Sequence, residues 1–172
     1  MPKSNTTKFY SQKQEDIVAK ALRGYRIGGS GAAPGVPGDV KTYDWLVECK
    51  THMESGKNIF FDLDVWNKVQ NEAMAMHKKP VLIVDDGSQS LDKTWCLCRS
   101  ANLNLSSTIV AEFPKVIRKN ITASSTALTT ALKKLAKEYP QEIYEHAAFY
   151  ANWGGQEVTI LPLSEFKELF EK

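Results

Sequence analysis

Gly38-Asp39-Val40-Lys41-Thr42-Tyr43-Asp44-Trp45-Leu46-Val47-Glu48-Cys49-Lys50 is the stretch on which the fold reading turns. Asp39 to Lys41 and Leu46 to Lys50 read as two strands around a turn near Tyr43-Asp44. With the turn centred between those two residues, Lys41 faces Leu46, Val40 faces Val47 and Asp39 faces Glu48. Alternation along the second strand puts Glu48 and Lys50 on one face and Cys49 on the other. Directly opposed Cβ atoms lie about 4.5–5.5 Å apart. Two carboxylates would then sit side by side with an ammonium one pleat away. Like charges so placed repel, and a divalent cation between them reverses the sign of the interaction.

Upstream, residues 1–10 read as a loose arm. Ser11 offers a helix N-cap with Gln14 as its capping-box partner, and Ile17, Val18, Ala21 and Leu22 form an apolar stripe. A helix is expected over 12–23, with Gly24 at its C′ position. Glu15 falls on the inward side of that helix, where a charge needs a partner. The segment 28–38 carries five glycines and two prolines and is read as a linker or a shaped loop.

Downstream, a polar loop over 51–58 leads to Asp64 as a second N-cap. Val65, Trp66, Val69, Ala73 and Met76 recur at helical spacing, predicting a helix over 65–78. Pro80 to Asp85 and Trp95 to Arg99 read as strands. Strand, helix, strand of these lengths implies a crossover unit, and hence an α/β fold with a mixed sheet flanked by helices. Residues 100–157 are expected to be a largely helical insertion within a single domain spanning 1–172. Its parts are a helix over 124–138, ended by Pro140, and a helix-like stretch from Gln141. Glu157 to Leu161 reads as a strand, and Ser164 as the cap of a final helix bearing Phe166, Leu169 and Phe170.

Composition excludes several classes. The 172 residues are 42% hydrophobic, which is enough for a core, and the net charge of +2 advertises no nucleic acid globally. The longest apolar run, Val81 to Val84, is far short of the roughly 20 residues of a membrane helix. Met1 to Thr7 is polar, so no secretory signal is expected. Three cysteines, an odd number in a chain of this size, argue for a reducing compartment. A cytoplasmic protein is expected, with no membrane association.

The order of these residues resembles the PD-(D/E)XK nuclease superfamily, and within it archaeal-type Holliday junction resolvases and related phage endonucleases. The resemblance runs from Ser11 to about Arg99, with a return at Val158 to Phe170. An acid on the first helix, a small-residue turn, an Asp and then Glu-x-Lys on a hairpin, a helix and an apolar strand read here as Glu15, Ser30, Gly38-Asp39, Glu48-Cys49-Lys50, 65–78 and Val81 to Val84. Gly38 stands where the superfamily's name has proline, as it does in many resolvase-like members. The resemblance implies the restriction-endonuclease-like core and Mg²⁺-dependent cleavage of a DNA phosphodiester, with Mn²⁺ able to replace Mg²⁺. Asp39, Glu48 and the Cys49 backbone carbonyl are then metal ligands, Lys50 the catalytic lysine, and Glu15 an auxiliary acid and ligand. Gln14 or Asp16 takes the Glu15 position if the helix is rotated. It further implies branched DNA as substrate, a homodimer, and a host cytoplasm if the protein is phage-encoded. A site-specific or homing-type duplex endonuclease on the same core, and a DNA-binding module without catalysis, are the other readings.

Each remaining feature has a plainer reading beside its functional one. Ser30 in Gly-Gly-Ser-Gly is a phosphate contact or an ordinary loop serine. Lys57, Lys68, Lys78 and Lys79 follow the site and are candidate DNA-backbone contacts, against the base rate of solvated lysines; Lys68 also has Asp64 one turn away. Lys115, Arg118 and Lys119, and Lys133, Lys134 and Lys137 opposite the leucines of their helix, read as solvated surface. Cys96 and Cys98 share a strand face without the spacing of a zinc site and read as core or edge thiols. His52 shares the parity of Lys50 and flanks the site. Trp45, Trp66, Trp95 and Trp153 read as core or interface residues rather than base-stacking platforms.

Overall fold

Helix α1 covers Thr7–Ala21, starting four residues before Ser11, so that part of the expected loose arm is helical and Ser11 lies inside the helix rather than capping it. Val18, Ala19 and Leu22 bury its apolar side. The left-handed residue after the helix is Arg23 (φ 53°), not Gly24. Gly24 is required for another reason: a Cβ there would stand 2.5 Å from the Lys41 carbonyl oxygen and 3.0 Å from Thr42 Cγ2. The close approach seats α1 against the strand pair that follows. The computed structural model describes residues 7–27, 38–51, 58–115, 117–139 and 143–171. Ser30, His52 and Lys57 lie outside these residues.

After α1 come β1 (Tyr25–Arg26), β2 (Val40–Lys41), β3 (Trp45–Lys50), β4 (Ile59–Asp62), α2 (Leu63–Ala75), β5 (Lys79–Asp85) and β6 (Thr94–Arg99). Then follow β7 (Thr108–Glu112), β8 (Asn120–Ala123), α3 (Ser125–Glu138), β9 (His146–Trp153), β10 (Gln156–Pro162) and α4 (Leu163–Leu169). Among the described residues the main sheet has eight strands in the order β1-β2-β3-β5-β6-β10-β9-β7, and β4 pairs with β8 in a separate ribbon. The β3–β5 and β7–β9 pairs are parallel and the rest antiparallel. The fold is thus α/β with a mixed sheet flanked by helices.

Two of the sequence expectations fail in instructive ways. Residues 100–157 are not largely helical: they supply β7 and β9 to the main sheet and β8 to the ribbon, with α3 the only α-helix among their described residues. The stretch after Gln141 reads as helix because Ala147, Ala148 and Ala151 are good helix formers. It becomes β9 because it lies between β10 and β7, with Ala147, Phe149, Ala151 and Trp153 facing one core and Ala148 the other. Tertiary context overrides propensity there. Strand β4 was not expected at all, since Ile59-Phe60-Phe61 is short and runs straight into a helix.

Caps move too. Asp62, not Asp64, caps α2, its carboxylate accepting from the N–H groups of Asp64 (2.8 Å) and Val65 (3.3 Å). Pro162, not Ser164, precedes α4.

The sheet separates two cores. On one face, Leu46, Leu82, Val84, Trp95, Leu97 and Phe149 pack against α2, α3 and the β4–β8 ribbon. On the other, Val47, Cys49, Val81, Ile83, Cys96 and Cys98 pack against α1 and α4. All four tryptophans are buried, and each indole N–H donates. The acceptors are the carbonyls of Phe170 (Trp45, 3.0 Å) and Lys119 (Trp153, 3.1 Å), Gln156 Oε1 (Trp66, 3.3 Å) and Ser125 Oγ (Trp95, 2.9 Å). Such bonds let large apolar rings bury fully without orphaning a donor. Among the described residues no helix is long and apolar enough to cross a membrane.

Gly24→Ala should cost about 1–3 kcal/mol by forcing the Lys41 backbone away. Thermal unfolding should show a melting temperature several degrees lower; an unchanged one would show that α1 and β2 do not approach as closely as described.

Candidate active site

The β2–β3 hairpin forms in the expected register, Val40 opposite Val47 and Lys41 opposite Leu46. The pairing stops there, and Asp39 does not oppose Glu48 as a ladder partner. The Asp39 N–H instead donates to the Val47 carbonyl (2.8 Å), and its carboxylate accepts from the Cys49 N–H (2.8 Å). The Asp39 side chain is therefore fixed to the backbone of the strand that carries Glu48 and Lys50. Gly38 sets this up with φ +73°, and a Cβ on it would come within 2.6 Å of Leu46 Cδ1. Proline, locked near −65°, cannot adopt that conformation, so the glycine before Asp39 is a requirement of this hairpin.

Glu48 lies on the α2 face of β3, beside Leu82 of β5, and is 8% exposed. Its carboxylate is 3.4 Å from Lys50 Nζ. Burial pushes its pKa up, the charge of Asp39 pushes it further, and Lys50 and Lys68 pull it partly back. Glu15, on α1, is raised by burial and then by Asp39, against the opposing pull of Arg26, whose Nε is 3.1 Å away. The Cys49 thiol is raised well above its ordinary range by burial, then by Asp39, Glu15 and Glu48. Three carboxylates from three chain segments thus act on one neighbourhood. They are not assembled as a closed cage: among the described residues no three His, Cys, Asp or Glu side chains converge as a ready metal site.

The donor set nonetheless suits a hard cation. Mg²⁺ needs only one or two carboxylates, completing its shell with water and phosphate oxygens. A cation beside the buried Glu48 carboxylate would offset the burial and the Asp39 charge that raise its pKa.

Two contributors escaped the sequence reading. Gln14, 2% exposed, sends Nε2 to the Lys50 carbonyl (2.7 Å), pinning α1 to the end of β3, while its buried Oε1 accepts no hydrogen bond. Gln14 is thus a structural tether and not a capping-box partner. Arg26 gathers Glu15 and Asp16 (Nη1 to Oδ1, 3.2 Å). Neither role has a spacing signature, because both depend on how α1 docks.

The lysines divide. Lys68 pairs with Glu72 (3.6 Å) rather than Asp64, which instead meets Lys119 (3.3 Å), and its charge reaches Glu48. Lys78 donates to the Thr42 and Tyr43 carbonyls (2.7 and 2.6 Å), and Lys79 sits 5.5 Å over the Trp45 ring; both are structural. Cys96 and Cys98 are buried thiols, as expected.

Lys50 ends β3 and Asp85 ends its parallel neighbour β5. Between those carboxyl ends, β4 and the start of α2 lies a cavity of about 310 Å³. Crevices at the carboxyl ends of parallel strands are common ligand sites in α/β folds. A larger cavity, about 680 Å³, lies between α3, β9 and α4 and contains none of the expected site residues.

No protein-family model, curated protein or solved structure matches this chain.

Because its native pKa is raised, Glu48 binds its proton more tightly folded than unfolded, and its charged form costs stability above its ordinary value of 4.5. Glu48→Gln should therefore melt higher than the parent at neutral pH without metal. The advantage should shrink as pH falls through the raised pKa and vanish below about 4.5. A variant that melts lower at neutral pH would mean the carboxylate is stabilising where it stands.

Proposed function

We propose that the chain is a divalent-metal-dependent endodeoxyribonuclease of PD-(D/E)XK type, acting on branched DNA. The observation that carries this reading is the Asp39 carboxylate held by the Cys49 N–H (2.8 Å) beside the strand whose Glu48 lies 3.4 Å from Lys50 Nζ. Burial and the charge of Asp39 make Glu15 and Glu48 costly to ionise, so these two acids have little structural value where they stand.

Asp39, Glu48 and the Cys49 carbonyl would hold Mg²⁺ or Mn²⁺, with Glu15 as the auxiliary acid. The bound cation supplies polarisation of the phosphate and acidification of a water molecule. The remaining work falls to the chain. The Asp39 carboxylate is aimed by the Cys49 N–H and needs little reorganisation. Lys50 is half exposed, so its ammonium can leave Glu48 and meet a phosphate without dismantling the core. There it donates to the attacking water and to the non-bridging oxygens as negative charge builds on phosphorus. Hydrolysis breaks the P–O bond to the leaving sugar oxygen, which takes up a proton. Lys68 supplies further positive charge toward the DNA backbone. Symmetric cutting of a four-way junction requires two sites, and the reading therefore includes a homodimer.

Nicking of supercoiled plasmid tests this. The parent should nick with Mg²⁺ and not with EDTA, and Glu48→Ala and Lys50→Ala should each fall by roughly 10²–10³-fold. Cleavage that persists in both variants, or none by the parent with any divalent metal, would overturn the nuclease reading. Equal rates on a four-way junction, a Y-fork and linear duplex at matched salt would remove branched DNA as the substrate and leave nuclease activity standing.

A further inference from the structure

The cavity beside Lys50 has a wall that phosphate chemistry does not use. Strand β4 alternates: Ile59 and Phe61 are buried in the core, while Phe60 and Asp62 line the cavity. Phe60 is 41% exposed although it is a large apolar ring. Val65, Leu82 and Val84 supply the rest of the apolar lining, and Asp62, Asp85, Thr51 and Lys50 the polar part. A single exposed phenylalanine is unremarkable on a protein surface. One that opens onto a cavity shared with the lysine of a phosphodiester site is placed for a substrate group.

The chemistry of the lining selects that group. Two carboxylates make the cavity hostile to phosphate, so a nucleic-acid backbone would stay over Lys50 and Lys68. A nucleobase has the opposite character, with a flat apolar face for Phe60 and the aliphatic wall. At about 310 Å³ the volume lies at the low end of small-ligand pockets, suiting one ring system rather than a base pair. A base inside a duplex is stacked and paired and cannot enter without being extruded, at a few kcal/mol. Bases at a junction, fork or flap are already loose.

We propose that the Phe60 cavity receives one unpaired nucleobase adjacent to the phosphate held at Lys50, making Phe60 a determinant of preference for branched or single-stranded DNA. This rests on the nuclease reading for its placement, but the contact itself can be measured without catalysis.

Fluorescence anisotropy with the full chain in EDTA reads it directly, using a labelled single-stranded oligonucleotide and a matched strand whose bases are replaced by abasic sites. Stacking of one base is worth about 1–3 kcal/mol, or roughly 5- to 150-fold in affinity. Phe60→Ala should bind the normal strand weaker by about that factor, and Phe60→Trp should restore it. The parent should lose a similar factor on the abasic strand, where Phe60→Ala should add nothing further. Because Phe60 lies outside the core, melting temperatures of these variants should stay near the parent's, which separates lost stacking from lost folding. The proposal fails if Phe60→Ala binds the normal strand as tightly as the parent, if its deficit persists on the abasic strand, or if the parent binds neither strand. Since no metal is present, a positive result stands even if plasmid nicking is never observed.

Discussion

The hydrogen bond from the Cys49 N–H to the Asp39 carboxylate (2.8 Å) is the constraint around which one end of this molecule is built. Burial raises the pKa of Glu15 and of Glu48, and the charge of Asp39 raises each of them further. The surrounding backbone holds them there. Gly38 takes a left-handed turn, the Cys49 N–H fixes Asp39, Gln14 ties α1 to the Lys50 carbonyl, and Arg26 gathers the acids of α1. A hydrogen bond to a charged group contributes roughly 1.5–3 kcal/mol and a neutral one about 0.5–1.5 kcal/mol. A handful of these offsets an unfavourable pair of raised acids. Strain and like charge held in place by neighbouring structure are a pattern of functional sites.

The rest of the fold serves as a platform stiff enough to hold that arrangement. The eight-stranded sheet is buried on both faces, and the four tryptophans bind each layer to the next through rings and indole N–H groups. Trp45 has a double role: it starts the strand that carries Glu48 and donates to the last turn of the chain at Phe170. That bond packs the start of β3 against the end of α4, across 125 positions of sequence.

Sequence legibility followed the range of the interactions. The β2–β3 register, α2, β5, β6, α3 and β10 were readable because local periodicity and tertiary packing agree in them. Glu15 was expected on the inward side of an amphipathic helix; it is partly buried there and pairs with Arg26 at 3.1 Å. Strands β7, β8 and β9 were not readable, because alanine-rich or short segments take strand geometry only where neighbouring strands already lie. The detailed pose of Asp39 was also hidden. Pairing rules place it opposite Glu48, whereas a left-handed glycine turns its carboxylate to the Cys49 N–H. Gln14 and Arg26 were missed because tethers that depend on docking leave no spacing behind.

The proposed site puts one divalent cation between Asp39 and Glu48. A crystal soaked in Mn²⁺ and measured for anomalous scattering tests it most directly. The account predicts a single strong peak bridging the two carboxylates, with Lys50 turned away from Glu48 and Glu15 facing the ion directly or through water. A map with Mn²⁺ elsewhere, and Asp39 and Glu48 unchanged around an empty gap, would contradict it.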